Sequence, residues 1–110
     1  MDIEIQYLKR TVLVTVSGRI VTANVPEFEE VFEGLVEEGH YNIVAELSGI
    51  EYMISRGLRT LVTALRDCRP KGGDVIIANP SKRMCDVLEI GTADTLFTIY
   101  DDAVSAVGSF

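Results

Sequence analysis

The sequence is poor in the residues that build metal and redox sites. It has one histidine, His40, and two cysteines, Cys68 and Cys85, which are far apart and form no CxxC spacing. A single histidine excludes a histidine cluster, and we expect both cysteines to be buried or half-buried small apolar residues in a reducing compartment. The sequence therefore predicts no metal site and no cofactor.

Long apolar runs are also missing. No stretch approaches the roughly 18–20 residues that cross a bilayer, and the N-terminus lacks the basic start and apolar core of a signal peptide. A chain of 110 residues with 47 % hydrophobic and 25 % charged residues is long enough for one core and too short for two. We predict a single cytoplasmic domain over residues 1–110, with no membrane insertion.

Motifs of catalysis and phosphate binding are absent as well. There is no G-x-S-x-G elbow, no G-x-x-x-x-G-K-[ST] loop and no G-x-G-x-x-G. The glycine-rich segment 70–74 precedes a predicted strand instead of joining a strand to a helix, so we interpret it as a turn. The sequence predicts no catalytic residue and favours a protein that is not an enzyme.

Basic residues are outnumbered, and the net charge of −7 argues against a nucleic-acid partner. The charges are also segregated. Residues 23–51 hold eight acidic and no basic residues, whereas residues 56–71 hold five basic residues and one acidic residue. Two interpretations remain: two solvated helix faces of opposite sign, or a charged docking surface for another protein.

Apolar periodicity indicates alternating strands and helices. Period-two alternation predicts strands over 3–7 and 12–16, paired antiparallel through a tight turn, and apolar runs predict further strands at 42–47, 75–78 and 96–100. Helical spacing and capping residues predict four helices: one capped by Thr22 or Asn24 and ended by Gly39, one from Ser55 to about Cys68, one opened by Asn79-Pro80 and ended by Gly91, and a short one capped by Asp101 or Asp102.

The predicted order is β-β-α-β-α-β-α-β-α. Strands that alternate with helices are joined by right-handed crossovers and lie parallel. We therefore expect an α/β fold with a mixed, mostly parallel sheet of about five strands packed against helices.

Ser55 follows a predicted strand and begins a predicted helix, so it has two interpretations. The simpler one is an N-cap, whose side-chain oxygen accepts a hydrogen bond from a first-turn N–H. The other is a switch, because the same N–H groups and the positive end of the helix dipole stabilise a phosphate attached to Ser55.

Four segments in order and spacing resemble a known family: Gly18-Arg19-Ile20, residues 43–50, Ile54-Ser55-Arg56-Gly57-Leu58, and residues 80–91. Together they look like a STAS domain, close to the stand-alone anti-sigma factor antagonists of bacteria, over essentially the whole chain. The resemblance implies regulation by partner switching, with an anti-sigma factor that is often a serine protein kinase as partner and a serine phosphatase that resets the system.

Carried over residue by residue, the resemblance makes Ser55 the phosphoacceptor. It implies a partner-binding surface made of Val21, Asn24, Ile54, Arg56, Gly57, Leu58 and Arg59.

Two positions depart from the family pattern, since Val21 and Ile54 stand where relatives usually have aspartate. One hypothesis is that Arg56 and the helix N-terminus hold a phosphate on Ser55 tightly. The other is constitutive binding of a partner through an apolar contact. An alternative function is that of an unmodified interaction subunit in another assembly, such as one associated with a transporter.

Overall fold

The computed structural model describes residues 1–110 and has the predicted order of strands and helices. Two short 3-10 turns, Arg69–Lys71 and Ala93–Thr95, are additional. The elements are β1 (Asp2–Tyr7), β2 (Val12–Ile20), α1 (Val25–Glu37), β3 (Asn42–Met53), α2 (Ser55–Cys68), β4 (Asp74–Ala78), α3 (Lys82–Ile90), β5 (Ile99–Tyr100) and α4 (Ala103–Gly108).

The five strands form one mixed sheet in the order β1-β2-β3-β4-β5. β1 and β2 pair antiparallel because their short connection leaves no room for a crossover, whereas the other neighbours are parallel and each pair is joined through a helix. The predicted α/β fold with a mostly parallel five-stranded sheet is confirmed.

The main core lies between the sheet and helices α1, α2 and α3. The alternation in β2 is confirmed, since Val12, Val14 and Val16 are buried there. A smaller cluster lies on the other face, where Ala106 of α4 packs with residues of β3 and β4 such as Val44. β4 and the first half of β3 are buried on both faces, which explains their continuous apolar runs in the sequence.

β3 is longer than predicted and continues past Leu47 to Met53. Two register shifts in its pairing with β2 let the strands stay together around Gly18 and Gly49. A Cβ on Gly49 would lie 2.6 Å from the Ser17 Cβ, so the close approach of the strands requires glycine there. The alternation of apolar and polar residues is interrupted at these register shifts. For this reason the second half of β3 could not be predicted from the sequence.

The predicted starts of two other elements are wrong. α3 begins at Lys82 and its N-cap is Ser81, whose hydroxyl oxygen accepts a hydrogen bond from the Met84 N–H at 3.1 Å. Asn79, the predicted cap, instead has a left-handed backbone with φ of 45°. β5 contains only Ile99–Tyr100, because the chain before it forms the 3-10 turn and an irregular link.

Two exposures also differ from expectation. Cys68 is buried as predicted, but Cys85 lies on the outer side of α3 and is exposed, so the expectation for Cys85 is wrong. Ile5 and Tyr7 are more exposed than their alternation predicts, at 39 % and 58 %, because β1 is an edge strand.

Candidate functional site

The residues around Ser55 lie where β2 and β3 end side by side. Ile20 and Met53 are partners in the parallel ladder, and the Ile54 N–H donates to the Ile20 carbonyl oxygen at 3.1 Å. The chain leaving β2 and the start of α2 are therefore neighbours. The carboxyl ends of parallel strands are where α/β folds commonly place their functional groups.

The loop between β2 and α1 is held by the Asn24 side chain. Its Oδ1 accepts a hydrogen bond from the Val21 N–H, and its Nδ2 donates to the Arg19 carbonyl oxygen, each at 2.9 Å. Asn24 occupies the predicted N-cap position of α1, but its side chain bonds back into the loop instead of capping the helix. This arrangement fixes the half-buried Val21 beside the start of α2.

Ser55 is the first residue of α2 and is exposed. The N-cap is Ile54, in an extended conformation with φ of −73° and ψ of 161°, and no side chain caps this helix. The expectation that Ser55 is an N-cap is therefore wrong. The N-cap is one residue before the serine, so the Ser55 side chain belongs to the first turn and does not cap the helix.

Gly57 brings the first turn of α2 onto the sheet. It is buried, and a Cβ at this position would lie 2.7 Å from Met53 Cγ and 3.3 Å from Ile20 Cγ2. Any larger residue would force the Met53 side chain or α2 to shift. The glycine thus sets how far Ser55 stands from the loop that carries Val21.

Leu58 lies at the edge of the core. It is half-buried, and a Cβ on Gly91 would come within 2.6 Å of its Cδ2, so the end of α3 packs directly on the first turn of α2. The buried stripe of α2 is rotated from the predicted one: Leu61 and Leu65 are buried, whereas Leu58 and Val62 flank them. Leu58 is consequently shared between the core and the surface.

Arg56 is paired with α1. Its Nε and Nη2 donate to the two carboxylate oxygens of Glu29 at 3.0 and 2.7 Å. The hydrogen bond to Glu29 and the charge of this carboxylate raise the pKa of Arg56 above its ordinary value. Arg59, one turn further along α2, is exposed and forms no ion pair. The acidic and basic blocks of the sequence thus meet at the contact of α1 and α2, but only one salt bridge joins them.

One contact near the site was missed from the sequence. Arg19 and Tyr52 are partners in the ladder of β2 and β3, and the Arg19 guanidinium carbon lies 5.0 Å from the centre of the Tyr52 ring, a cation–π contact. The pairing follows from the register shifts between the two strands. No sequence signal located those shifts, so the neighbours could not be assigned.

We define the Ser55 surface as Val21, Asn24, Ile54, Ser55, Arg56 and Leu58. The structure brings these predicted residues together; Gly57 lies beneath them, and Arg59 extends the surface along α2. None of the helices has the length and apolar character needed to cross a bilayer.

Comparison with known proteins identifies the fold. The family model of the STAS domain matches residues 2–106. The chain belongs to the STAS domain family. Among curated relatives of this STAS domain is the anti-sigma-B factor antagonist of Staphylococcus epidermidis, which is 30 % identical over 77 residues, a span of 70 % of this chain and 71 % of that protein.

Solved structures agree with this assignment. An anti-sigma factor antagonist of Thermotoga maritima superposes with a TM-score of 0.86 at 22 % identity, over 97 % of this chain and 92 % of that one. The Bacillus cell-fate determinant SpoIIAA in its phosphorylated form superposes with a TM-score of 0.79 at 17 % identity, over 98 % of both chains. At these identities the likeness shows a common fold.

Proposed function

We propose that this STAS domain is a cytoplasmic anti-sigma factor antagonist that works by partner switching. It binds an anti-sigma factor with serine kinase activity through the Ser55 surface, and phosphorylation of Ser55 releases that partner. The observation that carries the proposal is the exposed Ser55 at the open N-terminus of α2, beside the half-buried Val21 and Ile54.

The position of Ser55 suits reversible modification. Its hydroxyl is exposed and caps no helix, so a kinase reaches it without opening the fold. A phosphate there gains from the first-turn N–H groups and the dipole of α2. The folded state therefore tolerates the modified serine.

Phosphorylation changes the surface strongly for a partner. A phosphate adds about −1.5 to −2 charges. The side chains beside it, Val21 and Ile54, are apolar in this chain, so a partner packed on them would have to desolvate the phosphate. Loss of binding follows from that desolvation, without any carboxylate at positions 21 and 54.

For the phosphorylated state we propose that Arg56 stays with Glu29. The two hydrogen bonds of that pair are 3.0 and 2.7 Å long, and the Glu29 side chain is only 26 % exposed. Moving Arg56 to the phosphate would leave this half-buried carboxylate unpaired. The helix N-terminus is then the main support of the phosphate.

We further propose that the protein acts by binding and not by catalysis. The His40 ring lies against the Tyr7 ring in a tilted arrangement, with ring centres 5.2 Å apart, near the turn between β1 and β2. Ser55 lies at the other end of these strands. A serine nucleophile needs a base within hydrogen-bond reach, and the single histidine does not supply one.

The test is capture of partners from the native host by tagged wild type, Ser55→Ala, Ser55→Asp and Thr63→Asp, followed by mass spectrometry. Thr63 is exposed on the same helix, so Thr63→Asp controls for added charge. We expect wild type, Ser55→Ala and Thr63→Asp to retain an anti-sigma kinase, Ser55→Asp to lose it, and phosphate to map to Ser55.

Two results would contradict the proposal. Equal capture by Ser55→Asp and wild type, with Ser55 never modified, would show that the switch does not operate. Stoichiometric capture of a membrane transporter component instead of an anti-sigma factor would favour the alternative, in which the same surface is a permanent docking face.

A further inference from the structure

A cavity of about 330 Å³ lies at the end of the sheet opposite Ser55. It is formed where β2, β3 and β4 begin and where the turn after β1 passes them. The twelve-residue strand β3 separates it from the Ser55 surface. Its volume is within the range of small-molecule sites, about 300–1,000 Å³.

The lining of this cavity is basic in an acidic protein. Lys9, Arg10 and Lys71 line it, together with His40, the only histidine of the chain. No aspartate or glutamate is among its 13 lining residues, although the chain has 17 acidic residues and only 10 lysines and arginines. The nearest carboxylate to His40 is Glu38, whose Oε2 lies 3.6 Å from Nε2. The cavity therefore concentrates positive charge.

The walls of the cavity are tied to each other. Asn42 Nδ2 donates to the Arg10 carbonyl oxygen at 3.1 Å, which joins the turn after β1 to the start of β3. The Asp74 N–H donates to the Tyr41 carbonyl oxygen at 2.9 Å, and a Cβ on Gly73 would overlap that carbonyl group. The three segments are held in place without a ligand, so little ordering is needed when one binds.

We infer that this cavity binds a small phosphate-bearing anion. Lys9, Arg10 and Lys71, which line the cavity, neutralise the phosphate. The partly exposed ring of Tyr7 provides an apolar wall for the remainder of the ligand. The inference does not depend on the proposed function, because none of these residues belongs to the Ser55 surface.

The test is a titration with inorganic phosphate and then with pyrophosphate, followed by ¹⁵N–¹H correlation spectra at constant ionic strength, with chloride as the control anion. We expect saturable shifts confined to residues 8–12, 39–42 and 71–73. The double variant Lys9→Gln/Lys71→Gln should weaken binding by about tenfold or more, as expected when charge-assisted hydrogen bonds are removed.

Lys82→Gln/Arg83→Gln is the matched control, since it removes two exposed charges from the first turn of α3 outside the cavity. We expect it to bind phosphate as wild type does. Shifts that do not saturate, that spread over the whole surface, or that persist in Lys9→Gln/Lys71→Gln would overturn the inference.

Discussion

Arg56 and Glu29 join the first turn of α2 to α1 through two hydrogen bonds, directly beside Ser55. The arginine next to the candidate phosphoacceptor is thus engaged before any phosphate is added. We expect Glu29→Gln to lower the melting temperature slightly, and more at low than at high salt, because the Arg56 end of this ion pair is exposed and salt screens it. Thermal melts at two salt concentrations measure this effect.

Glu30→Gln is the control for that prediction, because Glu30 is exposed and forms no salt bridge. It removes the same charge from the same helix. Equal, equally salt-dependent changes in the two variants would mean that the pair with Arg56 contributes nothing specific.

The contact of Gly57 with the sheet gives a second prediction. Gly57→Ala places a Cβ 2.7 Å from Met53 Cγ. Overpacking costs about 1–3 kcal/mol, which exceeds the gain of up to about 1 kcal/mol in helix propensity. We expect a net loss of stability in urea denaturation.

Gly34→Ala is the matched variant, since a Cβ on this glycine of α1 meets nothing within 4 Å. It should raise stability by about 0.5–1 kcal/mol through helix propensity alone. If Gly57→Ala were as stable as Gly34→Ala, the close approach of α2 to the sheet would not constrain position 57.

The two serines at helix starts should differ in their effect on stability. Ser81 caps α3 and donates to the Ile50 carbonyl oxygen at 2.7 Å, so Ser81→Ala should cost about 1–2 kcal/mol. Ser55 caps nothing, so Ser55→Ala should change stability by less than about 0.5 kcal/mol. Denaturant unfolding of both variants tests this, and a large loss in Ser55→Ala would restore a structural role for that hydroxyl.

The cap of α4 predicts a dependence on pH. Hydrogen bonds from the backbone N–H and the hydroxyl of Ser105, at 2.7 and 3.0 Å, lower the pKa of Asp102. Because the pKa of Asp102 is lower in the folded protein than in the unfolded chain, where it is about 3.9, its ionised form stabilises the fold. This stabilisation is complete above the unfolded pKa and is lost as the pH falls through the folded pKa.

Melting temperatures of wild type and Asp102→Asn, measured from about pH 6 downward, test this. Asparagine caps about as well as aspartate but does not titrate. Wild type should therefore lose more stability than Asp102→Asn below about pH 4. Parallel curves for the two proteins would show that Asp102 is not responsible.

The two cysteines should react differently. Burial, together with the charges of Asp67 and Asp74, raises the pKa of Cys68 to about 11, whereas Cys85 is exposed. Since the thiolate is the reactive form, a thiol reagent near neutral pH should modify only Cys85 in the folded protein and both cysteines in denaturant. Cys85→Ser should show no fast reaction, and rapid labelling of Cys68 in that variant would contradict its burial.

The raised pKa of Cys68 also has a consequence for stability. The fold favours the neutral thiol of Cys68. Its contribution to the free energy of unfolding is complete at neutral pH and is lost only as the pH rises toward the folded-state pKa of about 11. Stability between neutral pH and that value should therefore depend less on pH in Cys68→Ala than in wild type.

The sequence predicted the order of elements because strands and helices here have different periods of burial. The proximity of the residues of the Ser55 surface could be predicted because a strand end, a helix start and a family pattern coincide there. Their role in binding a partner stays a prediction. The sequence did not predict which of two nearby residues is the N-cap of a helix. The N-cap of α3 is Ser81 and not Asn79, and the N-cap of α2 is Ile54 and not Ser55. Both depend on the backbone angles of single residues, which composition does not encode.

The alignment of segments that are distant along the chain could not be predicted from the sequence either. The cation–π contact of Arg19 with Tyr52 and the cavity lined by Lys9 and Lys71 depend on how distant segments are aligned. The sequence around Lys71 predicts a turn. No residue pattern in that segment indicates that this turn lies next to the turn after β1. Such groupings need the fold, because the residues that form them share no spacing along the chain.

The spatial order of the strands equals their order along the chain. A nascent chain can therefore add each strand to the edge left by the previous one, without inserting a strand between two that have already paired. β3, which leads into Ser55, obtains its second neighbour only when β4 has been synthesised. Because α2 packs on β4 as well as on β3, ribosome-bound chains that end before β4 should lack part of the surface on which α2 packs.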